Sequence, residues 1–249
     1  MRQLRVLHDS FEDDPALDAG VSRALMLRVA GGELPETLRI AHPGTTVAFA
    51  KRDAVAEGYD EAVRAARAQG FEATLRLAGG RGAVFHDGTM EIGHAVPGDE
   101  PRAGIHERFE RTATRLARAL GRLGVDARVG EVPGEYCPGR YSVNARGAAK
   151  LAGIGQRVVS GGSHTGVVLV IEGDDRSNAV LDPVYAALGL DWDPAATGSV
   201  RTEVPSATWA TIADAIVTEY ARDYDVTGAA LDPETLALAK QLAPEHRVA

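Results

Sequence analysis

The only cysteine of the chain, Cys137, lies in a loop rich in glycine and proline, GEYCPGRY, thirteen residues before a lysine, Lys150. A thiol and an amine at this spacing can carry acyl transfer, because a thiolate attacks a carbonyl carbon to form a thioester. The amine can then stabilise the negative oxygen that develops in the transition state. The competing interpretation is an inert small hydrophobe, since cysteine is among the most buried residue types. Glycine and proline around Cys137 argue against the middle of a core strand and favour the first interpretation.

Lys150 opens a run of small residues, KLAGIGQR, which is typical of a strand close to a ligand. Strand alternation predicts one face with Lys150, Ala152, Ile154 and Gln156, and another with Leu151, Gly153 and Gly155. Small residues beside a reactive lysine leave room for a narrow, extended substrate. A surface lysine on a strand is the alternative interpretation. Three cations, Arg140, Arg146 and Lys150, are expected to favour the thiolate form of Cys137.

A second segment with chemical potential is RLAGGRGAVFHD, in which Gly79, Gly80 and Gly82 occupy three of four positions. Glycines let a backbone approach a ligand closely, and the N–H groups of such a turn can hold a carboxylate or phosphate. Arg76 and Arg81 add charged donors. The segment is neither a P-loop nor a dinucleotide fingerprint, because no Gly-Lys-Ser/Thr follows and a β run replaces the required helix. The alternative is a tight turn with a bulge.

Two patterns that contain histidine do not indicate a functional site. His86, Asp87 and His94 lack a third metal ligand at standard spacing, so no metal site is expected, and Asp87 with the following glycine indicates a hairpin turn. The sequence Ser163-His164 after two glycines is interpreted as a turn with polar caps, because triad residues come from distant loops.

Composition narrows the function classes. A formal net charge of −8 and a pI near 5.4 argue against a general nucleic-acid binder. The single cysteine cannot form an internal disulfide, and the first residues contain no apolar signal-peptide core. No apolar run is long enough to span a membrane. We therefore expect a cytoplasmic protein.

The pattern of elements predicts one α/β domain with largely antiparallel sheets. Helical periodicity and capping residues predict helices over 15–30, 58–69, 105–123, 178–188, 206–220 and 232–242. Ser206 is the expected N-cap of the fifth helix. Strands are expected at 4–10, at 37–44 and 45–53 as two strands separated by a Pro-Gly turn, at 73–97 as two segments, at 127–133, and at 141–173 as a three-stranded meander.

The quoted segments resemble a known family. RLAGGRGAVFHDGT is similar to the arginine-rich Gly-Gly signature of the biotin/lipoate protein ligase (BPL/LPL) superfamily, and KLAGIGQR resembles its catalytic-lysine strand. The longer segment GEYCPGRYSVNARGAAKLAGIGQRVVSGG resembles the cysteine loop of the N-octanoyltransferases. The similarity is greatest to the amidotransferases that take octanoyl from the glycine-cleavage H protein. The resemblance covers residues 4–173.

The resemblance implies a single BPL/LPL catalytic domain over 1–249, with residues 174–249 as its helical C-terminal part. It implies a large and a small, mostly antiparallel sheet flanked by helices, with a tunnel for a medium-length acyl chain. Cys137 would take the acyl group as a thioester, and Lys150 would hold the acyl carbonyl. The implied substrate-binding residues are Arg76, Gly79, Gly80, Gly82, Ala83, His86, Gly153 and Gln156.

The resemblance also implies the partners. The acceptor would be a lysine on lipoyl domains, such as those of the H protein and of the E2 subunits of 2-oxoacid dehydrogenases. Acyl carrier protein is an alternative donor. No cofactor, metal, nucleic acid or membrane partner is expected.

The same residues are compatible with two other functions. An ATP-dependent lipoate–protein ligase would use the glycine loop and Lys150 to hold an acyl adenylate, with ATP and Mg²⁺ as cofactors. A non-catalytic protein that binds lipoyl domains or acyl groups is the third hypothesis. Its support lies in two departures from the family pattern: Leu77 stands where a second arginine is usual, and Arg81 displaces a small residue.

Overall fold

The computed structural model describes residues 1–249 as eleven strands and seven α-helices around two sheets. The strands are β1 (Arg2–Leu7), β2 (Thr37–Ala41), β3 (Thr46–Phe49), β4 (Glu72–Leu75), β5 (Ala83–Phe85), β6 (Thr89–Pro97), β7 (Ala127–Val129), β8 (Val143–Ala145), β9 (Ala149–Val159), β10 (Gly162–Val170) and β11 (Tyr224–Gly228). The α-helices are α1 (Pro15–Ala30), α2 (Tyr59–Ala68), α3 (Ile105–Arg122), α4 (Asp174–Ala187), α5 (Val200–Glu203), α6 (Trp209–Tyr220) and α7 (Pro233–Leu242). Two short 3₁₀ helices cover Pro194–Ala196 and Ala243–His246.

The large sheet has eight strands in the order β11-β1-β2-β6-β10-β9-β8-β7, and the small sheet has three in the order β4-β3-β5. Most neighbours are antiparallel, but β1 pairs in parallel with β2 and β11, and β3 pairs in parallel with β4. The predicted fold class, a large and a small mostly antiparallel sheet flanked by helices, is confirmed. The three-stranded meander is also confirmed, as β8, β9 and β10.

Apolar side chains on the helices attach them to the sheets. On α3, Leu116 and Leu120 are buried four residues apart against the large sheet, beside α6. Of the arginines on α3, Arg111 and Arg118 are exposed, whereas Arg115 is buried over the ring of Tyr220. Helix α1 lies across β6 and β10 and is covered by α7, whereas α2 and α4 pack together with the small sheet. No helix of the protein is long and apolar enough to cross a bilayer.

The two strands predicted on either side of the Pro-Gly turn are present as β2 and β3, and β2 joins the large sheet whereas β3 joins the small one. The predicted elements differ from the structure at three other places. Residues 73–97 form parts of three strands where two segments were predicted. Thr208, not Ser206, caps α6, because its side chain accepts from the Thr211 N–H. Strand β11 was not predicted, since it is a short, mostly exposed edge strand without apolar alternation.

Candidate active site

The thiol of Cys137 is held by the glycine loop of the small sheet. Cys137 has a φ of 42°, a left-handed conformation that is uncommon outside glycine. Its Sγ accepts a hydrogen bond from the Arg81 backbone N–H at 3.1 Å and lies 3.7 Å from the Arg76 guanidinium. Both contacts point a hydrogen-bond donor at the sulfur atom. The turn formed by Gly79 and Gly80 therefore presents N–H and guanidinium groups to the sulfur of the candidate nucleophile.

Lys150 is buried beside the loop that carries Cys137. Its Nζ donates to the carbonyls of Tyr136 and Cys137, at 2.8 and 2.9 Å, and to the Glu135 carboxylate at 3.1 Å. The ammonium also lies 4.6 Å from the centre of the Tyr136 ring. Burial lowers the pKa of the Lys150 amine, and the nearby Glu135 carboxylate opposes that effect. A cationic donor is thus fixed next to the Cys137 backbone.

A β-bulge changes which residues share the face of Lys150. In the pairing of β8 with β9, Val143 is opposite Ala152 and Asn144 is opposite Lys150, so Leu151 is the extra residue. The extra residue inverts the alternation beyond it. A Cβ placed on Gly153 would lie 3.4 Å from Cε of Lys150. The prediction that Lys150 and Gly153 point to opposite faces was therefore wrong.

A cavity of about 450 Å³ connects the thiol, the lysine and the large sheet. Two glycines that lie opposite each other on neighbouring strands, Gly155 of β9 and Gly166 of β10, line this cavity. Neighbouring strands are roughly 5 Å apart, so this pair spans about 5 Å of the cavity wall. A Cβ on Gly155 would meet the Ala78 Cβ at 2.8 Å. The glycine loop therefore approaches the sheet closely, and Gly155 and Gly166 contribute no side chains to the cavity.

The far wall of the cavity is polar. Glu91 accepts a hydrogen bond from the Ser22 hydroxyl at 3.1 Å, and His164 lies over Gly93. Burial lowers the pKa of His164 to about 3, so its imidazole is neutral near neutral pH. The segment with His164 is not the predicted turn, because it lies within β10. Sequence reasoning missed this residue, since its place in the cavity depends on pairing with β6.

Eight of the ten predicted site residues line one cavity: Arg76, Gly79, Gly80, Ala83, Cys137, Lys150, Gly153 and Gln156. The other two, Gly82 and His86, are outside its lining. The Gly82 carbonyl accepts a hydrogen bond from the Tyr185 hydroxyl at 3.0 Å. His86 is buried, with Nδ1 accepting from the Gly88 N–H at 2.9 Å and Nε2 3.0 Å from the Ser177 hydroxyl. Its contacts brace the turn between β5 and β6.

Of the three cations expected near the thiol, Lys150 binds the Cys137 carbonyl, and neither Arg140 nor Arg146 donates a hydrogen bond to the sulfur. Arg146 forms an ion pair with Glu203, and Arg140 lies over the ring of Tyr141 at 5.6 Å. Arg76, from the glycine segment, lies beside the sulfur instead. The sequence does not show this contact, because Arg76 and Cys137 are 61 positions apart and the small sheet brings them together.

Sequence reasoning also missed Glu135. Its side chain is fully buried, and its carboxylate accepts hydrogen bonds from Lys150, from Ser142 and from two backbone N–H groups of the cysteine loop. The residue was part of the quoted GEYCPGRY segment, but a glutamate in a loop is normally exposed. No pattern in the sequence signals that this one is buried against a lysine.

Comparison with curated proteins finds relatives of moderate similarity. The octanoyl-[GcvH]:protein N-octanoyltransferase of Geobacillus kaustophilus is 29% identical over 179 residues, which cover 70% of this chain and 63% of that protein. The lipoyl-[GcvH]:protein N-lipoyltransferase of Listeria monocytogenes is 27% identical over 177 residues, with the same two coverages. The matched part thus spans less than two thirds of the length of these relatives.

Comparison with solved structures concerns the fold. The chain is similar to a lipoate-protein ligase A bound with ATP, with a TM-score of 0.78 and 16% identity over 98% of this chain and 95% of that one. It is also similar to the bipartite lipoate protein ligase of Thermoplasma acidophilum, with a TM-score of 0.77 and 14% identity over 98% and 93% of the two chains.

The family is identified by a match to most of the sequence. Residues 14–218 match the model of the lipoyl protein ligase A/B catalytic domain, and this range contains the glycine loop, Cys137 and Lys150. The resemblance to the lipoate branch of the superfamily is thereby confirmed. With its two sheets and with the glycine loop placed against Cys137 and Lys150, the chain belongs to the lipoyl protein ligase A/B catalytic domain family.

Proposed function

We propose that this protein is an acyltransferase that moves an octanoyl or lipoyl group, through a thioester on Cys137, onto the lysine of a lipoyl domain. The observation that carries the proposal is the position of Sγ in the cavity, 3.1 Å from the Arg81 N–H, next to the buried Lys150. The names of the relatives, octanoyl-[GcvH] or lipoyl-[GcvH]:protein transferases, support the same reaction class.

In the first half-reaction, the Cys137 thiolate attacks the carbonyl carbon of the acyl group on its donor. A C–S bond forms, the C–N bond to the donor lysine breaks, and the proton given up by the thiol neutralises the leaving amine. The carbonyl oxygen becomes negative in the transition state. Lys150 is the charged donor nearest to the backbone of Cys137, so it is the residue we assign to that oxygen.

In the second half-reaction, the neutral ε-amine of the acceptor lysine attacks the thioester carbon. The C–S bond breaks, an amide forms, and the proton from the amine returns to sulfur. The net change exchanges one lysine amide for another, so the reaction needs no energy source such as ATP. The expectation that no cofactor takes part stays a prediction.

The donor and acceptor proteins follow from the relatives and from the resemblance. We propose octanoyl-GcvH as donor, because the relatives' names pair that species with a protein acceptor. Lipoyl domains of E2 subunits are the proposed acceptors. Acyl carrier protein as donor and the cytoplasmic location stay predictions from the sequence.

The test is a donor panel read by intact-protein mass spectrometry. The protein is incubated with octanoyl-GcvH, octanoyl–acyl carrier protein, or free octanoate with ATP and Mg²⁺. We expect a gain of one octanoyl group with the first donor, on Cys137 after peptide mapping, followed by its transfer when a lipoyl domain is added. Hydroxylamine should remove the group, because it cleaves thioesters.

Cys137→Ala should abolish both the adduct and the transfer, and Cys137→Ser should leave at most a trace of either. A Cys137→Ala variant that still modifies lipoyl domains would refute the thioester route. Transfer that requires ATP and free acid would identify the protein as a ligase instead. Tight binding of a lipoyl domain with no turnover from any donor would identify a non-catalytic binding protein.

A further inference from the structure

Glu135 has more partners than any other carboxylate at the site. Its Oε1 accepts from Lys150 Nζ at 3.1 Å, from Ser142 Oγ at 2.6 Å and from the Gly139 N–H at 2.9 Å. Its Oε2 accepts from the Val132 N–H at 3.0 Å. An ionised carboxylate offers about four acceptor sites, so its capacity is filled. The loop that carries Cys137 is thus folded around one buried carboxylate, which binds the loop on both sides of the cysteine.

The charge of this carboxylate has one counter-ion. The side chains of Glu135 and Lys150 are 0% and 1% exposed, so neither charge is solvated by water. A buried charge is tolerated when it is paired and hydrogen-bonded. The other two acceptors of Lys150 are the neutral carbonyls of Tyr136 and Cys137. Glu135 is therefore the one anionic hydrogen-bond partner of the Lys150 ammonium.

We propose that Glu135 is a positioning residue of the site, which keeps Lys150 charged and in place and ties the Cys137 loop to it. This rests on the proposed function for the role that it gives to Lys150. All three N–H groups of the ammonium have partners, so an acyl oxygen that binds Lys150 must displace one of the two loop carbonyls. The bond to Glu135 anchors the ammonium while that exchange occurs.

Other charged groups face Lys150 and set its titration together with Glu135. Cys137 as a thiolate favours the ammonium form, and the Arg76 guanidinium disfavours it. The Tyr136 ring, stacked under the ammonium, carries a buried hydroxyl whose pKa is raised by that burial, so it stays neutral. Burial and Arg76 both lower the pKa of Lys150, and the Glu135 charge opposes them. Without that charge, the Lys150 ammonium should lose its proton at a lower pH.

The composition of the chain permits a direct measurement. It contains three lysines, and the other two, Lys51 and Lys240, are exposed. Protein labelled with ¹³C and ¹⁵N in lysine should therefore give three side-chain NMR signals, which Lys51→Arg and Lys240→Arg assign. The midpoint of the Lys150 signal is followed against pH in the wild type and in Glu135→Gln. We expect the variant to titrate about 1 to 3 pH units lower, the effect of an opposite charge at this distance.

The activity readout uses octanoyl transfer from GcvH over the same pH range. In Glu135→Gln, the alkaline limb of the kcat/KM profile should move to lower pH with the Lys150 signal. At neutral pH, kcat should fall about 10-fold or more, short of the ~10²–10³-fold loss from removing an oxyanion donor. Glu219→Gln is the matched control, because Glu219 of α6 is another buried glutamate, paired with Arg122 of α3, and neither residue lines the cavity. It should move neither the lysine signal nor the alkaline limb.

Glu135→Asp guards against a variant that fails to fold, because it keeps the charge and shortens the side chain. It should leave the Lys150 midpoint close to that of the wild type and lower kcat. An unchanged midpoint in Glu135→Gln, or an equal shift in Glu219→Gln, would overturn the inference. A shifted lysine signal in a protein that acylates Cys137 from no donor would refute the proposed transferase and leave the coupling of Glu135 to Lys150 standing.

Discussion

We expect opposite results when each of two adjacent glycines, Gly79 and Gly80, is replaced by alanine. A Cβ on Gly80 would collide with the Arg76 guanidinium and lie 2.9 Å from the Sγ of Cys137, and the residue has a φ of 109°. A Cβ on Gly79 would have no heavy atom within 4 Å, and Gly79 does not have a positive φ. Gly80→Ala should therefore disturb the thiol, and Gly79→Ala should not.

Gly80→Ala should affect both the folding free energy and the rate of thioester formation. Alanine in a backbone region that is almost exclusive to glycine costs about 1–3 kcal/mol of folding free energy. Displacing Arg76 removes a charged hydrogen bond to Sγ, worth about 1.5–3 kcal/mol. Since ~1.4 kcal/mol corresponds to a tenfold change in rate, thioester formation in Gly80→Ala should slow by roughly 10- to 100-fold. Gly79→Ala should change the rate of thioester formation by less than about 2-fold, because its Cβ would have no heavy atom within 4 Å and would not displace Arg76.

The assay is single-turnover formation of the octanoyl thioester on Cys137, followed by mass spectrometry at a temperature where both variants are folded by circular dichroism. Loss of folding alone would lower the reactive fraction but leave the rate constant of that fraction unchanged, so the two effects separate. Equal rate constants for folded Gly79→Ala and Gly80→Ala would refute the assignment of the glycine turn as the support of the thiol.

Three further predictions address the cavity, the acid limit and the core. In Gly155→Val, the new Cβ would lie 2.8 Å from the Ala78 Cβ, so the side chain should narrow the cavity. We expect a lower rate of octanoyl transfer at a temperature where a thermal scan shows that the variant is still folded. Burial opposes but does not cancel the hydrogen bonds from α7 and Arg28 that lower the pKa of Asp232 to about 2. This carboxylate stabilises the fold above its ordinary pKa of 3.8 and loses that effect as pH falls towards 2, so Asp232→Asn should flatten the acid-unfolding curve there. Leu120→Ala, at a fully buried site on α3, should lower the free energy of unfolding by about 2–5 kcal/mol in a urea titration.

Local patterns predicted most elements. Helix α1 has the predicted bounds, 15–30, and α3 ends one residue before the end of its predicted range, 105–123. Two features that the local patterns did not give depend on partner strands distant in sequence. The sheet membership of β3 is decided by β4 and β5, and edge strand β11 exists because β1 pairs with it. Hydrophobic periodicity carries no information about such partners.

The sequence alone determined which groups could do chemistry here. It contains one thiol, one lysine thirteen residues later, and a glycine turn between two arginines, and these residue types together indicate acyl transfer. Only the tertiary structure decided how they meet. The small sheet brings Arg76 and the Arg81 N–H to the sulfur, a bulge at Leu151 turns Gly153 towards Lys150, and folding buries Glu135 as its counter-ion. The reason is physical: reactivity belongs to residue types, whereas distance, burial and charge pairing arise from contacts between segments far apart in the chain.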